Sequence, residues 1–105
     1  MIQVTDETRG DWRIVTVAGR ADGEAADALE AALRSAVEAN ARVVADFSGL
    51  TYISSASLRS VLQAARAAKT RGSEFAICGL NQFVKEVFET TGLHRQLRNY
   101  GELPC

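Results

Sequence analysis

The chain has 105 residues, 47% of them apolar and 24% charged, with 12 Lys or Arg against 13 Asp or Glu. That length builds one hydrophobic core, and that composition excludes a disordered segment. A net charge of −1 with the signs mixed along the chain leaves no basic stripe for nucleic acid. Nor is there a polybasic anchor, or an apolar run near the roughly 20 residues needed to span a membrane.

Met1 to Asp6 lacks the basic and apolar regions of a signal peptide, so the expected compartment is the cytoplasm. Gln3 to Thr8 and Trp12 to Ala18 are β-prone runs on either side of Arg9-Gly10-Asp11, which predicts a hairpin with Trp12 packed at a strand end. Gly19 to Gly23 turns the chain into a helix with Asp22 or Gly23 at its N-cap and Asn40 at its exit. The apolar stripe of that helix is Ala26, Leu29, Leu33, Ala36 and Val37, at helical spacing.

Arg42 to Phe47 is a short apolar run suited to a buried strand, and Ser48-Gly49 reads as the turn that ends it. A helix from about Ser55 to Arg71 would bury Leu58, Val61, Leu62, Ala65 and Ala68, and would turn Arg59, Gln63, Arg66 and Lys69 to solvent. Basic residues in its last turn complement the helix dipole, and Gly72 stops it. Glu74 to Cys78 is another buried strand, with Cys78 as a small core residue. Asn81 caps a third helix whose Phe83, Val84, Val87 and Phe88 point inward. Gly92 closes that helix, and Leu93 to Leu97 forms one short packed turn in which His94 is a surface or helix-end cation. The terminal Cys105 has no assigned role.

The order β-β-α-β-α-β-α predicts an α/β fold, with residues 1–105 as a single domain. The sheet would be small, four-stranded and mostly parallel, with an N-terminal β-hairpin and three main helices around it. In such sheets the functional edge lies at the carboxyl ends of the strands. Three loops leave that edge: Gly19 to Gly23, Ser48 to Ser55, and Gly79 to Asn81.

The middle loop carries the unusual composition "TYISSASL", Thr51 to Leu58, with three serines in four positions. An N-cap accounts for one of them. Nucleophilic catalysis lacks a base, since His94 is the single histidine and no G-x-S-x-G surrounds any serine. A phosphate-binding loop lacks its glycine and lysine pattern. A closed metal site lacks ligands, and nothing suggests another cofactor. What survives is a phosphate acceptor, because a serine at a helix N-terminus points into free N–H groups that tolerate a dianion.

The stretch "VVADFSGLTYISSASLRSVLQAARAAKTRG" resembles the central motif of STAS domains, the bacterial anti-sigma factor antagonist family, in which I-D-S-x-G-L opens a long helix. "VAGRADGEAADAL" is similar to the family's first loop and helix, and "GLNQFVKEVFETTGLHRQL" to its third helix and closing turn. The similarity runs in order through nearly the whole chain. It implies that Ser55 is the serine a partner kinase phosphorylates and that Asp22 is the acidic residue beside it. Asp46 matches the strand-end aspartate, which also reads as a turn-stabilising carboxylate. Ser54 stands where the family has aspartate and Ser57 where it has glycine. The second departure implies an ordinary negative φ at Ser57.

The resemblance also implies a function without catalysis of its own, in partner switching that regulates transcription. The unmodified antagonist binds a serine-protein kinase that is also an anti-sigma factor. Phosphorylation at Ser55 releases it, and a serine phosphatase resets the cycle. Asp22, Tyr52, Ser54, Ser55, Ala56, Ser57 and Arg59 are the expected partner-binding residues. Most are small side chains around one aromatic, which would let a partner backbone approach closely. The alternative is a STAS accessory subunit of a transporter ATPase that docks without phosphorylation.

Overall fold

The computed structural model describes residues 1–92 and Arg95. The turn expected over 93–97, apart from Arg95, lies outside the described residues, as does Cys105.

Strands β1 (Ile2–Arg9) and β2 (Trp12–Ala21) form the expected antiparallel hairpin. A 3-10 turn at Gly23–Ala25 leads into helix α1 (Ala26–Ala39), followed by β3 (Arg42–Ile53), α2 (Ser55–Arg71), β4 (Glu74–Cys78) and α3 (Gln82–Thr90). The sheet order is β1-β2-β3-β4, with β2, β3 and β4 parallel. Two right-handed crossovers stepping the same way across a sheet leave their helices on one face. Leu29, Leu33 and Val37 of α1 and Val61, Ala64 and Ala68 of α2 accordingly share one buried cluster with Val15, Val17, Val43, Phe47 and Ile77 of the sheet. Phe88 of α3 joins it against Phe47, with ring centroids 6.4 Å apart. Each of the Val, Leu, Ile and Phe side chains among them, taken from water, contributes about 1.5–3 kcal/mol. The opposite face holds a smaller buried group, Ile14, Val44, Ala76 and Cys78, with Trp12 packed against it.

The stripe expected for α1 is the one that is buried. Three other expectations are corrected. Ser48-Gly49 does not end the third strand, which runs on to Ile53. The turn chemistry is real but local: Asp46 Oδ1 accepts both the Ser48 amide (2.9 Å) and the Ser48 hydroxyl (2.7 Å). The strand absorbs it as register shifts against β2, so pairing resumes at Ala18↔Gly49 and continues to Ala21↔Ile53. Gly79, at φ +77, packs onto this bend, and a Cβ there would lie 2.8 Å from the Ser48 nitrogen.

The second correction concerns α2. Its buried residues are Ser57, Leu58, Ser60, Val61, Ala64 and Ala68, whereas Leu62 and Ala65 are only partly covered. The buried face is rotated because Ser57 and Ser60 can enter the interior fully hydrogen-bonded. Ser60 Oγ lies 2.7 Å from the Ala26 carbonyl at the start of α1, to which it donates. Third, Phe83 is 50% exposed rather than inside, while Val84 and Phe88 carry the packing of α3.

Candidate functional site

The carboxyl ends of β2 and β3 and the starts of α2 and α3 meet at one edge of the sheet. Three hydrogen bonds fix their relation. The Ser54 amide donates to the Ala21 carbonyl (2.8 Å), joining the end of β3 to the end of β2. Thr51 Oγ1 donates to the Gly19 carbonyl (3.1 Å). Asn81 Nδ2 donates to the Leu50 carbonyl (2.8 Å), while its Oδ1 accepts the Val84 amide and caps α3.

The serines divide their work. Ser54 is the N-cap of α2, with extended φ −86° and ψ 167°, and its Oγ accepts the Ser57 amide at 3.1 Å. A serine oxygen thus makes the capping bond that an aspartate would make at that position. Ser57 is fully buried, and its Oγ donates to the Asp22 carbonyl at 3.0 Å. Its place among the partner-binding residues is therefore corrected: it locks the start of α2 to the loop after β2 and offers no surface. Ser55, the first helical residue, is exposed, and its hydroxyl bonds to none of the described residues. Of the hydroxyls at the start of α2, it alone has no structural task.

Asp22 caps the turn that precedes α1, with Oδ1 accepting the Ala25 amide at 3.1 Å. Its Oδ2 lies 3.5 Å from the amino group of Met1. Burial alone would raise this carboxyl, but the Ala25 amide, the amino-terminal charge and the Glu24 amide outweigh it and hold its pKa below the ordinary 3.8. Asp22 is thereby an anion beside the start of α2. Ala56 and Arg59 are exposed on the first turns of that helix, and Arg59 has no carboxylate partner among the described residues.

Tyr52 is half-buried at the end of β3. Its ring stacks on Phe83 of α3, with centroids 6.3 Å apart and planes at 18°, and the Arg20 guanidinium carbon lies 4.4 Å from its centre. Arg20 and Phe83 are additions that the sequence reading lacked. The signal for Arg20 is the parallel register, which pairs it with Tyr52 and which no local pattern encodes. Phe83 is concealed by periodicity, because it stands next to Val84 and Val87 in a nine-residue helix whose buried face is narrow.

This arrangement joins a fixed helix start, one uncommitted hydroxyl and an aromatic-cationic neighbour on an α/β scaffold. The family model described as "Mlab, STAS domain" matches residues 4–99. The chain belongs to the STAS domain family. It is 40% identical over 80 residues to the Bordetella bronchiseptica protein named "Putative anti-sigma factor antagonist BtrV", covering 75% of this chain and 69% of that one. Among solved structures, an anti-sigma factor antagonist from Mycobacterium paratuberculosis superposes with a TM-score of 0.82 at 21% identity, over 98% of this chain and 87% of that one. The phosphorylated form of the Bacillus cell fate determinant SpoIIAA does so with 0.69 at 19% identity, over 93% and 89%. These two likenesses are of fold.

Proposed function

We propose that this chain is an anti-sigma factor antagonist that works in the cytoplasm by partner switching, with Ser55 as the phosphorylated residue. The observation that carries the reading is the division of the serines. Ser54 caps α2 and Ser57 is buried on the Asp22 carbonyl, so Ser55 can gain or lose a phosphate without breaking a bond to any described residue. Asp22, Tyr52, Ser54, Ala56 and Arg59 frame it on the same edge.

In the unmodified state the centre of this surface, Ser55 and Ala56, is exposed and carries no charge, which suits close contact with a kinase that doubles as the anti-sigma factor. A phosphate on Ser55 adds about −1.5 to −2 charges at neutral pH. Within a tight contact those charges must be desolvated, at a cost of several kcal/mol that the helix start and Arg59 return only in part, enough to part the proteins. A serine phosphatase restores the first state. The role is one of binding, with no turnover on this chain.

The test is phosphopeptide mapping after incubation with the cognate kinase and ATP, together with binding by Ser55→Ala. The expected result is phosphate on Ser55 alone, and a Ser55→Ala protein that binds the kinase and resists ATP-driven release. Phosphate on Ser54 would move the site. No phosphate at all, with binding to a transporter ATPase instead, would favour a transport accessory subunit.

A further inference from the structure

We infer that Phe83, Tyr52 and Arg20 form a second half of the anti-sigma factor contact, in which an apolar side chain of the partner seats against the two rings while a partner carboxylate pairs with Arg20. The inference rests on the function proposed above and adds to it the chemistry of the partner's surface.

Four observations support it. Of the large apolar side chains exposed among the described residues, Met1, Val4 and Phe83, only Phe83 is aromatic. Aromatic side chains have few rotamers to lose and serve disproportionately as binding anchors. Phe83 is also held in advance of binding. Asn81 ties the first turn of α3 both to its own helix and to the Leu50 carbonyl, and the ring lies stacked on Tyr52. A side chain fixed before contact loses little freedom on contact.

Charge supplies the third argument. Arg9, Arg13, Arg34 and Arg42 each pair with a carboxylate of this chain, at Glu7, Asp6, Glu30 and Asp11. Arg20 is exposed and pairs with none of the described carboxylates, its guanidinium lying over Tyr52 instead. A planar guanidinium stacked on a ring keeps its outward N–H groups in position for a carboxylate. Tyr52 also stands three residues before Ser55, no more than about 10 Å of extended chain, so a single partner surface can reach both.

The experiment measures equilibrium binding and dissociation rate between the full chain and its anti-sigma factor. Phe83→Ala and Arg20→Ala are the test variants, Phe83→Leu a conservative one, and Glu89→Ala an exposed control on the same helix. Melting curves establish that each variant is folded. Phe83→Ala is expected to weaken binding by about tenfold or more, chiefly through faster dissociation. Phe83→Leu should recover part of that loss, and Glu89→Ala should leave binding unchanged. Arg20→Ala is expected to weaken binding and to reduce its sensitivity to salt.

Unchanged binding by Phe83→Ala and Arg20→Ala, with phosphate at Ser55 still releasing the complex, would overturn this inference and leave the proposed function standing. Wild-type protein that binds no anti-sigma factor would overturn both. Self-association of the wild type that Phe83→Ala abolishes would assign the patch to a second copy of the chain and overturn the inference.

Discussion

Replacing Ser54, Ser55 and Ser57 one at a time by alanine should set Ser55 apart from the other two, and the difference follows from the hydrogen bonds. Ser54→Ala removes the oxygen that accepts the Ser57 amide, leaving α2 without its side-chain cap. Losing such a cap costs about 0.5–2 kcal/mol, most often near 1. Ser57→Ala removes a buried donor to the Asp22 carbonyl. That carbonyl also accepts the Ala25 amide at 3.1 Å, so it is not orphaned. The cost should therefore stay near that of one ordinary hydrogen bond, about 1 kcal/mol, and below the 1–3 kcal/mol of an unsatisfied buried group. Ser55→Ala breaks no bond with a described residue, and alanine is the better helix former. Its effect should lie within about 0.5 kcal/mol of zero.

In a domain of this size 1 kcal/mol moves the melting temperature by about 4–8 °C. Thermal and urea unfolding therefore separate Ser55→Ala from Ser54→Ala and Ser57→Ala. The reasoning fails if Ser55→Ala is destabilised as much as Ser54→Ala. That result would mean that Ser55 carries the cap, and the claim that its hydroxyl is free for modification would go with it.

Two further outcomes are expected. Leu33→Ala, at a fully buried site in the main cluster, should lose about 2–5 kcal/mol, and Leu62→Ala on the half-covered flank of α2 should lose distinctly less; urea unfolding of both variants compares them. The lowered pKa of Asp22 makes its carboxylate a contributor to stability that is fully present above the ordinary value of 3.8 and is lost as pH falls through the lower folded value. Asp22→Asn should accordingly lower the urea midpoint at pH 7 and leave it closer to wild type at pH 3, and an equal difference at both pH values would refute the charge argument.

Periodicity made most of the architecture legible. α1 buries Ala26, Leu29, Leu33, Ala36 and Val37 because a single apolar stripe of an amphipathic helix has one way to face a sheet. The caps at Asn81 and Gly72 were readable for the same local reason, since residue type and position together specify the bond. What local pattern could not convey was the effect of neighbours distant in sequence. Ser48-Gly49 has the composition of a turn, and only pairing with β2 on one side carries the strand through it. Ser57 reads as a surface residue and Ser60 is absent from the expected buried stripe, because the carbonyls of Asp22 and Ala26 that satisfy them lie more than thirty positions away. Within the candidate site, Asp22, Tyr52, Ser54, Ser55, Ala56 and Arg59 do gather at one edge. Arg20 and Phe83 come to Tyr52 only through the parallel register and the Asn81 tether.

The same geometry decides where switching has to occur. Ser55 is the first residue of a 17-residue helix, so a phosphate there meets the positive end of the macrodipole and the unpaired amides of the first turn. That placement is worth about 0.3–1 kcal/mol at an exposed site. Arg59 is four residues on, on the same helical face, exposed and without a carboxylate partner among the described residues; such a pair adds about 0.2–0.5 kcal/mol. The anionic Asp22 in the adjoining loop opposes both terms. The balance is small, and the interior bonds of Ser54 and Ser57 are untouched. Protein carrying phosphoserine at position 55 should therefore melt within a few degrees of the unmodified chain, with the same far-ultraviolet dichroism. A fall corresponding to more than about 1 kcal/mol, roughly 4–8 °C, would show that the phosphate disrupts α2. Release of the partner would then be a consequence of unfolding the helix start, rather than of charge presented on an intact surface.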